Sequence, residues 1–358
     1  MMAISATRWI SPESCFPEPP CFLAYDLICG FARLHRPMAP SVSLAVVSFN
    51  THAATLCCLT ATSEAADDWP CTFTLVDNGS TDGTVEAVRQ QHPAWRIIQR
   101  PDNPGYGTAL NLAFAGSSAP YLLALNSDVL LHAGALKLLI PFLEHHPDCA
   151  LAGPALVYPD GRPQPSAKRF NSLPFALAET LWFNSLLPRN RLARHLYYAD
   201  QDLAGNPWVD TVSGAAMLLR GEAFRRVGGF DEGFRMYFEE TDLCRRLHNA
   251  GYRVAVCPQA TAVHWHGAST LQTSVRQVEY YLSYVRYFRK HHGRGPAFVL
   301  AVAVAVSTAL RMLALPFKYP PLSRRSRTIL QSKLSACCRL LGGLFRPAIR
   351  RTATEVRQ

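Results

Sequence analysis

Five short clusters of polar residues and glycine in this 358-residue sequence have the composition of ligand-handling loops. The first is Asp77-Asn78-Gly79-Ser80-Thr81-Asp82. It lies between an apolar run and a helix-like stretch, so its amides and side chains surround a helix N-terminus, a seat for phosphate or ribose. The same residues also suit an Asx-rich turn capped by Ser80 or Thr81. In the second, Asn103-Pro104-Gly105-Tyr106-Gly107, two glycines stand where the backbone could approach a ligand closely or turn tightly into a helix. The third ends an apolar run in Leu125-Asn126-Ser127-Asp128, whose carboxylate could hold a divalent cation against phosphates or cap the next helix.

The fourth cluster is the most acidic. Gly228-Gly229-Phe230-Asp231-Glu232 precedes Tyr237-Phe238-Glu239-Glu240-Thr241-Asp242-Leu243-Cys244-Arg245-Arg246. Acids in a first helical turn favour the helix dipole whatever their function. Glu239, Glu240 and Asp242 are nevertheless three acids in four residues, more than capping needs. Leu243 and Leu247 mark the buried stripe of that helix, and Glu239, four residues before Leu243, begins the same stripe. Glu240 lies about 100° round from Glu239, so the two cannot serve one position equally. The fifth cluster, His264-Trp265-His266-Gly267-Ala268-Ser269, sets two imidazoles on one face of a strand, where they could ligate metal or simply pack.

Regular elements must hold these clusters in place. Residues 43–49 (SLAVVSF) form the nearly continuous apolar run of a buried parallel strand. A helix to about residue 66 follows, then strands at 73–76, 96–99 and 121–125 separated by helices at 83–91 and 107–115, and a further helix at 136–145. This alternation predicts an α/β fold, a mostly parallel sheet with helices on both faces. Ligands in such sheets bind at the carboxyl ends of the strands, which is where the polar clusters fall. Residues 162–206 read as irregular loops around a helix near 175–186. Beyond them we expect a strand at 212–219, a helix at 239–250 closed by Gly251, short strands at 253–256 and 262–264, and an amphipathic helix at 275–288.

Composition sets the outer limits. With 49% apolar and 17% charged residues the chain can fill a large core. Its net charge of +10 is uneven: from Arg286 onward 15 Lys and Arg face the single acid Glu355, whereas the preceding 285 residues hold 21 basic and 25 acidic ones. Such a tail suits anionic lipid or nucleic acid, yet it contains no recognisable nucleic-acid module. Residues 297–310 are apolar except for Ser307 and Thr308, and Arg311 interrupts them before a span of roughly 20 residues is reached. A helix lying in the membrane interface is the expectation, with a spanning helix or a core helix as alternatives. Eleven cysteines without CxxC pairs point to neither a zinc ribbon nor a disulfide framework, and so to a reducing compartment. Residues 1–37 lack the pattern of a signal peptide; they read as a disordered leader, or as a wrongly assigned start with Met38 the true beginning. The expected organisation is that leader, a catalytic domain at 38–292 with halves at 38–150 and 151–292, and an apolar, basic tail at 293–358.

Taken in order, the motifs resemble family 2 glycosyltransferases of the GT-A fold, in particular the bacterial rhamnosyltransferase-like branch. The resemblance runs from about residue 42 to 269 and weakly on to 292. Ser48-Phe49-Asn50 is similar to the family's first-strand end, VDNGSTD at 76–82 to its nucleotide-contacting motif, NPGYGTALN at 103–111 to its glycine loop, and LNSD at 125–128 to its metal motif. VSGAAMLLR, GGFDEGFRMYFEETDLCRR and HWHGAS are similar to its acceptor half. The resemblance implies an inverting transferase whose nucleotide-sugar lies against Ser48, Asn50, Asp77, Asn78, Ser80, Asp82, Asn103, Gly105, Gly107 and Asn126. It also implies Mg²⁺ or Mn²⁺ held by Asp128 and His264. A carboxylate among Glu239, Glu240 and Asp242 would take the acceptor's proton, and the family pattern favours the second acid of the pair, Glu240. The implied donor is dTDP-L-rhamnose, with UDP-sugars next. The implied acceptor is a glycan or polyprenyl-linked saccharide, read by residues 162–206 and 212–217. The implied location is cytoplasmic, peripheral on the inner face of the cytoplasmic membrane.

Two residues depart from the pattern. Asn126 stands where a stricter metal motif has aspartate, and Glu240 is one methylene longer than the usual second acid. A sugar nucleotidyltransferase would need an early glycine-rich loop bearing Arg and Lys for a triphosphate, and none is present. A non-catalytic relative would have lost the acids that this chain keeps.

Overall fold

The computed structural model describes residues 41–66, 69–181, 191–199, 201–265, 273–319 and 324–344. The leader reading of residues 1–37, His266 and the distal part of the helix expected at 175–186 lie outside the described residues.

The chain opens with β1 (Val42–Ser48), α1 (His52–Ala65), β2 (Cys71–Asp77), α2 (Thr84–Gln91), β3 (Arg96–Gln99), α3 (Tyr106–Phe114) and β4 (Tyr121–Asn126). All seven residues of β1 are buried, as its unbroken apolar run requires of a central strand. It pairs in parallel with β2 on one side and β4 on the other. The register aligns Ser48 with Asp77 and Val47 with Asn126, so the polar ends of three strands share one edge.

After β5 (Val129–Leu131) and α4 (Ala135–His145) come β6 (Cys149–Val157), β7 (Ala167–Lys168), α5 (Leu173–Thr180), α6 (Arg191–Leu196), β8 (Trp208–Val209), β9 (Thr211–Val212), β10 (Ala216–Arg220) and α7 (Gly221–Arg226). Then follow α8 (Glu239–Asn249), β11 (Arg253–His264), α9 (Thr273–His291), α10 (Arg294–Lys318) and α11 (Arg324–Leu344). The main sheet has the order β3-β2-β1-β4-β10-β6-β11-β5, with β8 joined to β11. Most strands run one way; β10, β5 and β8 run against them. One face packs against α1 and α4 through Leu44, Val46, Leu59 and Leu136. The other packs against α3 and α8 through Val47, Leu110, Phe114 and Leu243.

Three local expectations need correction. No strand is expected at 149–157, where the structure has β6 with Pro154 inside it. β10 pairs there only with Leu151 and Ala152, so proline's missing N–H costs nothing along that edge. The strand expected at 212–219 is two, β9 and β10, parted at Ser213-Gly214-Ala215. The two short strands expected at 253–256 and 262–264 are the ends of the continuous β11, whose register shifts between Cys257 and Thr261.

A third core joins the tail to the domain. Phe234 and Phe238 meet Tyr284, Tyr287 and Phe288 of α9, which in turn meet Leu300 and Val304 of α10 and Leu340 of α11. Burying each such large side chain contributes about 1.5–3 kcal/mol. The segment expected to lie freely in a membrane interface is thus docked along one face. Ser307 Oγ donates to the Thr180 carbonyl at 2.9 Å, and Arg311 Nη2 donates to the Tyr281 hydroxyl at 3.2 Å.

Candidate functional site

The carboxyl ends of β1 and β2 form a rim in which each side chain holds another. The Asp77 carboxylate accepts the Ser48 hydroxyl at 2.9 Å through Oδ2 and the amides of Gly79 and Ser80 at 3.1 and 2.8 Å through Oδ1. Asn50, in the left-handed region at φ 50°, donates its backbone N–H to Ser80 Oγ at 2.9 Å and accepts the Thr81 amide at 2.7 Å through Oδ1. Asp82 accepts the first amide of α1, His52, at 2.9 Å and also binds Thr84. Those hydrogen bonds hold the Asp82 carboxyl below its ordinary pKa against the opposing effect of burial. Asp77 and Asp82 therefore bind the chain's own amides and shape the rim.

The glycine loop ties this rim to the other half. Asn103 turns the chain at φ 44°. Gly105 has φ 103°, and a Cβ there would lie 2.1 Å from the Arg235 carbonyl oxygen, so no other residue fits. Its own carbonyl accepts Asn78 Nδ2 at 3.5 Å. A Cβ at Gly107 would press on Phe230 at 3.0 Å and approach Glu239 at 3.5 Å. Asn111, in the first turns of α3, brackets Phe230 with a donor and an acceptor bond, each of 2.9 Å.

Asp128 lies in the turn between β4 and β5, opposite the last residue of β11. Its Oδ1 is 3.5 Å from His264 Nε2. Gln164 Oε1 lies 2.9 Å from His264 Nδ1, a hydrogen bond that orients the ring with Nε2 toward Asp128. A carboxylate and an imidazole at this separation can pair directly or share a cation. One carboxylate and one imidazole suit a divalent ion that draws further oxygen ligands from a diphosphate. Among the described residues no third Asp, Glu, His or Cys joins them. The Asn126 amide is bound to the Ala215 carbonyl at 2.9 Å, so that strand end faces the gap between β9 and β10.

The acid cluster at the start of α8 divides into three roles. Asp242 is fully buried and accepts Arg246 Nε at 2.8 Å and both His291 Nε2 and Lys290 Nζ at 2.7 Å. Against its burial, these partners lower its pKa to about 2. It clamps α9 to α8. Glu239 is buried, its Oε2 accepts no hydrogen bond among the described residues, and burial together with the charge of Glu240 pushes its pKa up to about 8. Glu240 reaches Lys168 Nζ at 3.5 Å and accepts the Thr241 hydroxyl at 2.9 Å. Its stem lies against Gly214 in the gap between β9 and β10.

Two aromatic residues fix where these acids point. Tyr237 and Phe238 precede α8 with φ of 65° and 66°, conformations that cost L-residues roughly 1–2 kcal/mol each. Phe238 is held there by stacking on Tyr284 at 4.7 Å and by Lys168, 4.7 Å over its ring. Tyr106 is half-buried, and its hydroxyl donates to the Gly214 carbonyl at 2.8 Å. Burial raises its pKa well above the ordinary range, and the charges of Glu239, Glu240 and Asp128 add to the rise. Tyr106 thus lies within electrostatic reach of the acid pair and of Asp128. Sequence reasoning missed Lys168, Gln164 and Tyr106 as contributors: the first two sit in the loop-rich stretch after β6, and Tyr106 was read only as part of a turn.

A mostly parallel α/β sheet with this rim, an aspartate–histidine pair and an acid pair over its strand ends is the architecture of GT-A enzymes, which move sugars from nucleotides. The model of "Glycosyl transferase family 2" matches residues 43–228, and that of the "N-terminal domain of galactosyltransferase" matches residues 194–266. The chain belongs to glycosyl transferase family 2, and it is a glycosyltransferase similar to the rhamnosyltransferase branch. It is 34% identical over 220 residues to an N-acetylglucosaminyl-diphospho-decaprenol L-rhamnosyltransferase of Mycobacterium tuberculosis, covering 57% of this chain and 70% of that one. It is 47% identical over 57 residues to the rhamnosyltransferase WbbL of Escherichia coli, covering 16% and 22% of the two chains. Among solved structures, a mannosyltransferase of Pyrobaculum calidifontis in complex with GDP-Man and Mn²⁺ shares the fold at a TM-score of 0.53 and 18% identity, covering 86% of this chain and 88% of that one.

Proposed function

We propose that this enzyme transfers a sugar, L-rhamnose from dTDP-L-rhamnose in the reading we favour, to a hydroxyl of a polyprenyl-diphosphate-linked saccharide, with inversion at the anomeric carbon. The observation that carries the reading is that Tyr106 and Glu240 meet at Gly214, the phenol donating to its carbonyl at 2.8 Å and the Glu240 stem packing against its Cα. In an inverting displacement the acceptor oxygen attacks from the side opposite the departing diphosphate, so the base belongs on the acceptor side, and the place of Glu240 in the gap between β9 and β10 supports that role.

The rim of Ser48, Asn50, Asp77, Asn78, Ser80 and Asp82 would receive the nucleotide, with Asn103, Gly105 and Gly107 admitting it closely and Asn126 at the floor. Asp128 and His264 would hold Mg²⁺ or Mn²⁺. When bound, such a cation neutralises the charge that builds on the departing diphosphate. Glu240 takes the proton of the acceptor hydroxyl while that oxygen bonds to the anomeric carbon and the sugar–diphosphate bond breaks. Lys168 orients Glu240. Glu239 keeps its own proton near neutral pH and cannot compete for that role. The rhamnosyl and lipid-linked assignments draw on the printed activity of the mycobacterial relative.

The outer face of α10 exposes Phe298, Val299, Val302, Val306, Leu310, Leu313 and Phe317. At 25 residues the helix is long and apolar enough to cross a membrane, but its other face is docked on the domain. A peripheral seat on the cytoplasmic leaflet, with this stripe in the lipid, fits both facts.

Supplying the purified chain with dTDP-L-rhamnose or UDP-sugars and a polyprenyl-diphosphate-linked N-acetylglucosamine tests the reading. The expected product carries rhamnose of inverted configuration. Turnover with UDP-sugars alone would overturn the donor, and a retained configuration would overturn the single displacement.

A further inference from the structure

Away from the strand ends, α9, α10 and α11 enclose a cavity of about 390 Å³, large enough for part of a lipid chain. Its walls include the apolar Val278, Leu315, Ala336 and Leu340, with the cations Arg311, Lys318 and Lys333. The cations are gathered there. Lys318 and Lys333 lie 5.9 and 5.6 Å from the centre of the same Tyr319 ring, and Arg311 is 5.7 Å from that of Tyr281. No acidic side chain lines the cavity among the described residues, and no Asp or Glu occurs in the sequence between Glu279 and Glu355. Like charges brought together beside apolar walls repel unless an anion joins them. The complement of this cavity is a molecule with an anionic head and an apolar body.

Two neighbouring features narrow the class. Leu313 and Phe317, 71% and 89% exposed, flank the cavity wall on α10 and continue the apolar stripe toward it. A ligand could thus enter from the lipid without crossing water. On its inner side, Tyr281 of α9 receives Arg311, while Tyr284, three residues on and about one turn away, stacks on Phe238 beside the acid pair. One helix therefore runs from the cavity to the start of α8.

We propose that this cavity binds the phosphate-bearing end of an isoprenoid lipid, and so presents the acceptor saccharide to the site around Glu240. The proposal deepens the lipid-linked acceptor reading and rests on it. Arg311, Lys318 and Lys333 neutralise the phosphate oxygens, and the chain lies along Val278, Leu315 and Leu340 toward the stripe on α10.

Calorimetric titration of the full chain in detergent, with Mg²⁺ and excess dTDP filling the donor site, compares farnesyl diphosphate, farnesol and inorganic diphosphate. Farnesyl diphosphate should bind at least ~10-fold more tightly than either of the others, since only it joins a chain to an anion. The Lys318→Gln/Lys333→Gln double variant should lose ~10-fold of that affinity, while Arg339→Gln, in α11 but outside the cavity wall, should keep it. In turnover, the double variant should raise KM for the lipid-linked acceptor and leave KM for a lipid-free saccharide unchanged. Inorganic diphosphate binding as tightly as farnesyl diphosphate, an unchanged double variant, or an equal loss in Arg339→Gln would each overturn the proposal. Binding is read without turnover, so its failure is distinct from a failure of the acceptor reading, which would show as no transfer to any lipid-linked saccharide.

Discussion

The rim at the ends of β1 and β2 and the acid pair are built on opposite energetic terms. At the rim, the acceptors of Asp77, Asn50 and Asp82 are filled by neighbouring amides and hydroxyls; Asn78 Oδ1 is the buried exception. At the acid pair, a buried carboxyl lies against a second carboxylate, one of its oxygens is unpartnered, and the two residues before it are held at positive φ. The first region is ordered by its own bonds and waits for a ligand. The second is held in place by its surroundings, the Phe238–Tyr284 stack and Lys168, at a cost in stability. Proteins tolerate such a cost where chemistry needs it.

The largest expected effect falls between the two regions. Asp128→Ala removes the only carboxylate of its motif and should lower kcat/KM by about 10³-fold, the upper range for a single electrostatic group, while Asn126→Ala is milder. EDTA should silence the wild-type enzyme, with Mg²⁺ or Mn²⁺ restoring it. Full activity after exhaustive chelation would remove the cation from the account. Next, Lys168→Met should lower kcat by roughly 10-fold and move the acidic limb of the pH–rate profile upward, because losing a cation disfavours the ionised acid. Lys168→Arg should restore most of the rate. A profile that does not move would deny Lys168 any hold on the acids.

Stability gives the sharper contrast. Asp77→Ala strands the Ser48 hydroxyl and the Gly79 and Ser80 amides and should cost about 2–4 kcal/mol in a denaturant titration. Glu239→Gln should do the reverse. Folded protein keeps the Glu239 proton up to about pH 8, whereas an unfolded chain releases it near pH ~4.3. The folded state thus binds more protons across that window, and wild-type stability falls as pH rises through it. The amide carries no such penalty, so the variant's Tm should overtake the wild type's by a few degrees near pH 8 and lose that lead toward pH 4. Equal pH dependence of the two proteins would show that Glu239 is not held protonated.

The rim was readable in advance because its residues terminate short apolar strands, and parallel register then brings Ser48, Asp77 and Asn126 to one edge. The placement of Glu239 on the buried stripe of α8 followed from its spacing to Leu243 and Leu247. The rest depends on distant partners. Lys168 reaches Glu240 across 72 positions and Gln164 reaches His264 across 100, each from a stretch without periodicity. The positive φ at Tyr237 and Phe238 has no signature in residue type, since both are bulky and aromatic. No strand is expected at β6, and the antiparallel entry of β10 between β4 and β6 is set by partners distant in sequence. Asp242, one of three acids that looked alike in sequence, proved to be a clamp only once α9 was seen to supply His291 and Lys290.

The central claim is that Glu240, and not its buried neighbour, takes the acceptor's proton. Measuring donor affinity and turnover separately in Glu240→Gln and Glu239→Gln tests it most directly. The account predicts unchanged donor binding in both, a loss in kcat of at least ~10²-fold for Glu240→Gln with partial recovery in Glu240→Asp, and a much smaller loss for Glu239→Gln. An inactive Glu239→Gln beside an active Glu240→Gln would contradict it.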